Sequence, residues 1–200
     1  MKHTVVALME DKPGVLNRVV NMFSRRAFNI ESLTVGHTEL PHVSRMTVVV
    51  DGTTNDVEQV VKQLYKVIDV LKVSDLTEDK SILRDLTLMK VSSNRETRGE
   101  IVQIAQIVGA QVVDLAHDSV ILQIAAEEEK IDDFVRLMRP FGIKEMVRTG
   151  RVAMARGALN VERAPDLAEL AAHQHHRRVD GVRRDTGKKK VAVDLTGEAG

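Results

Sequence analysis

A chain of 200 residues, 43% hydrophobic and carrying 29 Lys and Arg against 29 Asp and Glu, has enough apolar material for one or two small globular domains and is not a fully disordered chain. Zero formal net charge, 2% aromatics and no Trp remove both the basic footprint and the stacking platforms that nucleic-acid binding uses. The lack of Cys excludes disulfides, thiolate metal sites and a Cys nucleophile, and suits a reducing, cytoplasmic setting.

The apolar run Val5 to Met9 is broken by Glu10 and Asp11, too short for a signal core or a membrane span, so a soluble chain with no membrane partner is expected. Residues 4–10 read as a buried strand ended by Asp11-Lys12-Pro13-Gly14. Leu16, Val19, Val20 and Phe23 then recur at helical spacing, with Arg25 and Arg26 as a cationic last turn. Residues 29–37 and 44–50 read as a hairpin of two strands, and Val57, Val60, Val61 and Leu64 as a second helix after capping residues. Residues 67–76 close the unit as a strand. The order strand, helix, strand, strand, helix, strand, with one apolar stripe per helix, predicts both helices on one face of a four-stranded antiparallel sheet. The other face would be left bare, and dimerisation is its usual cover.

The order recurs. Strands are expected at 86–91, 112–115, 120–125 and 143–147, with helices carrying Ile101, Ile104, Ala105 and Val108, then Ile131, Phe134, Val135 and Met138. The fold class is therefore α+β: two ferredoxin-like βαββαβ units, at 1–77 and 82–159, joined around Glu78-Asp79-Lys80. Residues 160–200 read as a disordered polar tail. Its His173, His175 and His176 lack a rigid frame for a metal, and Lys188 to Lys190 is a solvated charge run, so no metal site is assigned.

The strongest local signal is Asp11-Lys12-Pro13-Gly14-Val15-Leu16, where a strand meets a helix. Pro13 suits a first helical turn and Gly14 permits close approach to a backbone whose unpaired N–H groups can hold a carboxylate. A plain strand-to-helix turn has the same composition. Asn29-Ile30 opens the second strand at the opposite end of the sheet, so it meets the turn only across a two-fold pair.

The runs from Asp11 to Val19, Phe23-Ser24-Arg25-Arg26, Asn29 to Val35 and Ser44-Arg45-Met46-Thr47 closely resemble the acetohydroxyacid (acetolactate) synthase small subunit, whose N-terminal part is an ACT domain. The resemblance continues through Val67 to Leu71 and on to Thr149-Gly150 and Ala155-Arg156-Gly157. It implies a homodimer joined through its ACT domains, with valine as allosteric ligand held by Asp11, Lys12, Pro13, Gly14, Val15 and Leu16 of one copy and Asn29 and Ile30 of the other. It also implies feedback control of a separate catalytic large subunit in branched-chain amino-acid biosynthesis. Thiamine diphosphate, magnesium and FAD belong to that partner, and this chain is expected to hold no cofactor. No dinucleotide fingerprint or nucleophile with a base is visible by spacing, so no catalytic residue is assigned. The corresponding turn of the second unit, 93–99, lacks the Pro-Gly pair. Alternatives are an amino-acid-sensing ACT protein serving another enzyme or a transcription regulator, and an RNA-binding module. The last would need exposed aromatics on its central strands, and Met46 to Val50 offers none.

Overall fold

The computed structural model describes residues 1–25, 28–77 and 80–157. Readings that fall on Arg26, on Glu78 and Asp79 of the linker, and on the tail with its His and Lys runs lie outside the described residues.

The first half comprises β1 (Lys2–Glu10), α1 (Val15–Arg25), β2 (Asn29–His37), β3 (Val43–Asp51), α2 (Thr54–Leu64) and β4 (Val70–Asp75). Its sheet runs β2-β3-β1-β4, every pair antiparallel. β1 takes a central place because it is apolar on both faces, and every residue from His3 to Glu10 is buried. Val5, Ala7 and Met9 of β1 and Met46, Val48 and Val50 of β3 pack with Val15, Val19 and Phe23 of α1 and Val57, Val60 and Leu64 of α2. The stripe of α1 differs from the expected one. Val15, Val19 and Phe23 are inside, whereas Leu16 is 41% exposed and Val20 half-buried, because the helix begins at Val15 and turns that residue inward.

The second half repeats the order with β5 (Ser81–Ser92), α3 (Arg98–Val108), β6 (Gln111–Leu115), β7 (Ser119–Ala126), α4 (Glu128–Met138) and β8 (Ile143–Ala155), its sheet running β6-β7-β5-β8. Ile101 and Ala105 of α3 and Ile131, Phe134 and Met138 of α4 close its core over Met89, Val91, Val120 and Leu122. Two ferredoxin-like βαββαβ units are thus present.

Strands β5 and β8 are longer than hydropathy predicts. They pair from Ser81 with Ala155 to Val91 with Ile143, with register shifts between Asp85 and Thr87 and between Lys90 and Val91. The polar run Arg148-Thr149-Gly150-Arg151 breaks the apolar alternation, so the extension cannot be seen in sequence; its purpose is packing on the first sheet. Arg151 N–H donates to Ser32 Oγ (2.9 Å), Thr34 Oγ1 to the Thr149 carbonyl (3.3 Å) and the Arg45 guanidinium to the Ala153 carbonyl (2.6 Å). Val6, Leu8, Thr47 and Val49 on that face are buried. The face that sequence reasoning left to dimerisation is therefore covered by β8 of the same chain, and both sheets lie in one compact unit.

Candidate functional site

The turn between β1 and α1 is held from three sides. Glu10 N–H donates to the Asp69 carbonyl (2.9 Å) and Asp11 N–H to the His42 carbonyl (2.8 Å), so the loops that precede β3 and β4 both anchor it. Arg18 pairs with the buried Asp69 at 2.6 Å and thereby ties the first turn of α1 to the start of β4. Lys12 pairs with Glu10, and His37 Nδ1 lies 3.3 Å from Asp11 Oδ2. Gly14 has φ of 85°, in the left-handed region, which lets the chain turn sharply from Pro13 into the helix.

At the helix start, Val15 N–H bonds back to the Lys12 carbonyl and Arg18 N–H to the Gly14 carbonyl. No described residue accepts from the N–H groups of Gly14, Leu16 or Asn17. Asp11, Lys12, Pro13 and Gly14 are exposed, Val15 is buried in the core, and Leu16, itself one of the residues with an open amide, is exposed. The turn can hold a carboxylate at the amides and offer an apolar contact next to them.

Asn29 and Ile30 are elsewhere. Asn29 pairs with Asp51 and Lys2 with the same Asp51, while Glu10 pairs with Val43, so Asn29 stands at the far end of the sheet. Eight ladder steps separate the levels of Lys2 and Glu10, a distance of about 26 Å. Within one chain the structure brings together Asp11 to Leu16 and leaves Asn29 and Ile30 apart from them. Near Asn29, the Met1 ammonium lies 2.9 Å from Asp51 and holds its carboxyl below the usual carboxylate range. The residues that sequence reasoning missed are Arg18, His37, His42 and Asp69. His42 and Asp69 reach the turn through the β1–β3 and β1–β4 registers and His37 through the β2–β3 register, and no spacing in the sequence could have announced those meetings.

No group of three or more His, Cys, Asp or Glu among the described residues could hold a metal, and no described helix is long and apolar enough to cross a membrane.

A βαββαβ unit with a Pro-Gly turn of open amides at the end of its first strand defines the class of ACT-domain proteins. Residues 6–72 match the family model described as an AHAS small subunit-like ACT domain, and residues 84–157 the one described as the small subunit of acetolactate synthase. A probable acetolactate synthase small subunit of Archaeoglobus fulgidus is 54% identical over 157 residues, 78% of this chain and 98% of the relative. The acetolactate synthase small subunit of Bacillus subtilis is 48% identical over 159 residues, 78% of this chain and 92% of its own length. The crystal structure of the acetolactate synthase small subunit from Thermotoga maritima superposes with a TM-score of 0.74 at 37% identity, covering 78% of this chain and 98% of that one. The chain belongs to the acetolactate synthase small subunit family.

Proposed function

We propose that the chain is a non-catalytic regulatory subunit that binds valine between two copies of its ACT domain and transmits feedback control to a catalytic subunit of acetolactate synthase. The observation that carries this reading is the separation of the two halves of the site along β2. β2 is an edge strand, paired only with β3 in its sheet. Antiparallel pairing of β2 with its two-fold copy, centred on Leu33, sets Asn29 of each copy opposite His37 of the other, and His37 already lies against Asp11. The register that closes the sheet edge therefore closes the site.

In such a pair, the open amides of Gly14, Leu16 and Asn17 hold the ligand carboxylate and the Asn29 amide of the other copy anchors its polar atoms. Leu16, exposed within one chain, covers the isopropyl group. Burial of that group contributes roughly 1.5–3 kcal/mol, and the helix terminus roughly 0.3–1 kcal/mol. Because the ligand touches both copies, it favours one arrangement of the pair. By linkage the catalytic partner and valine then change one another's affinity by an equal factor, on the order of 1–3 kcal/mol. Thiamine diphosphate, magnesium and FAD belong to the catalytic subunit in this reading, and the complex works in the cytoplasm.

Calorimetry on the purified chain tests it. Valine should bind with one site per chain and glycine far more weakly, and Asn29→Ala should weaken valine binding about tenfold or more, as loss of a buried hydrogen bond requires. Equal binding of valine and glycine would overturn the reading.

A further inference from the structure

A second cleft, of about 320 Å³, lies on the other side of the first sheet, where β8 and the start of α4 meet β2. Its charged lining is balanced: Lys2, Arg148 and Arg151 against Glu31, Asp85 and Glu128. Most of these groups already have partners. Lys2 bridges Glu31 (2.9 Å) and Glu128 (2.8 Å), Arg151 pairs with Glu128 (2.6 Å) and donates to Thr4 Oγ1 (3.3 Å), and Arg148 Nη1 pairs with Asp132 (3.0 Å).

What remains is specific. Asp85 is only 8% exposed, and its buried Oδ1 has no donor among the described residues. Burial pushes its pKa up, against the pull of Arg151 and Arg148. Arg148 Nε and Nη2 are likewise buried with no acceptor among the described residues. One acid and one guanidinium edge are thus left over in a site whose other charges cancel. Unmatched buried groups of this kind are costly, and native proteins seldom keep them without a partner. A simple carboxylate would satisfy Arg148 and leave Asp85 unmatched, and a simple amine would do the reverse. A molecule bearing both an ammonium and a carboxylate satisfies the two together.

We propose that this cleft binds a free α-amino acid, its ammonium on Asp85 and its carboxylate toward Arg148, as an intrachain site separate from the turn at Gly14. Because Asp85 Oδ1 and the two Arg148 nitrogens are covered, occupation turns both side chains and shifts the seat of β8 on β2. Ligand at this site therefore alters the packing of the two units on each other. The site stands independently of the reading given above, since it needs neither a second copy nor Asn29.

The full-length chain labelled with 15N, titrated with L-serine, L-valine and, as a carboxylate without an ammonium, L-lactate, provides the test. Saturable shifts of the Gly150 and Arg151 amides are expected with at least one amino acid and not with lactate. Asp85→Asn should weaken that response about tenfold or more, the effect of losing one charged hydrogen bond, and leave any shift at Gly14 unchanged. Absence of saturable shifts at Gly150 with both amino acids in millimolar excess would overturn the proposal, as would an unaltered response in Asp85→Asn. A response at Gly150 without one at Gly14 would uphold this cleft and count against the interface site. The converse would remove only this one.

Discussion

Gly14 and Asp85 show two ways in which one residue governs this molecule. At Gly14 a Cβ would find space, its nearest neighbour being Arg18 Nη1 at 4.0 Å, so Gly14→Ala meets only the strain of its left-handed backbone. That substitution should cost about 1–2 kcal/mol, read from the urea midpoint of unfolding, and should weaken valine binding by misaligning the open amides. Asp85 acts through charge. Its folded pKa is raised above the unfolded value, chiefly by burial, so the folded state holds the proton more tightly. Stability then falls as pH rises from the ordinary carboxylate range through the raised pKa, and the penalty persists at neutral pH. Asp85→Asn removes that dependence: the variant should be more stable than the parent at pH 7, and the difference should vanish in acid. Urea titrations across this range would show it. The importance of Gly14 was legible from its place after Pro13. That of Asp85 was not, since a single acid in a strand looks solvated until the neighbouring unit covers it.

Among the elements, the helices were the most legible. Val57, Val60 and Leu64 in α2 and Ile131, Phe134 and Met138 in α4 lie where their spacing places them, because a helix with one apolar stripe has one way to bury it. α1 departed by one position, its stripe including Val15 and leaving Leu16 outside, since helix phase depends on where the first turn is closed. β8 was half missed. Gly150, with φ of 86°, explains why: a Cβ there would stand 2.5 Å from Ser32 Oγ and 3.1 Å from Thr34 Oγ1, so the strand relies on a close approach that hydropathy does not register. Gly150→Ala should cost roughly 2–4 kcal/mol, from backbone strain together with overpacking. Adding Ser32→Ala removes the nearer contact but also takes away the acceptor of the Arg151 N–H, so Ser32→Ala alone is the reference. In the double-mutant cycle the coupling between the two substitutions reads the overpacking against Ser32, and Gly150→Ala should cost less in the Ser32→Ala background than in the parent.

For the whole molecule, the open question posed by the sequence was how a four-stranded sheet with helices on one side protects the other. Face-on cover comes from β8, with Arg45, Ser32 and Thr34 as its polar seats, which leaves the β2 edge as the surface for self-pairing in the proposed dimer. With pairing centred on Leu33, Val35 of one copy lies opposite Glu31 of the other. Val35→Glu sets like charges face to face across that seam, which destabilises such a pair. The variant should sediment as a monomer at concentrations where the parent is a dimer, and it should lose valine binding while its circular dichroism is unchanged. A dimer that survives the substitution would place the contact elsewhere.

Local chemistry alone determined the order of strands and helices, the apolar stripes and the Pro-Gly turn, because each depends on residues within a few positions of one another. It also carried the family, through motifs such as Asp11 to Val19. Only the tertiary structure decided that Asp69 and His42 hold the turn, that Asn29 lies at the far end of the sheet from it, and that β8 closes the open face over Asp85. Those facts depend on strand register and on the docking of one unit on the other. Both are set by contacts between residues far apart in the chain, whose pairing leaves no periodic trace in either partner.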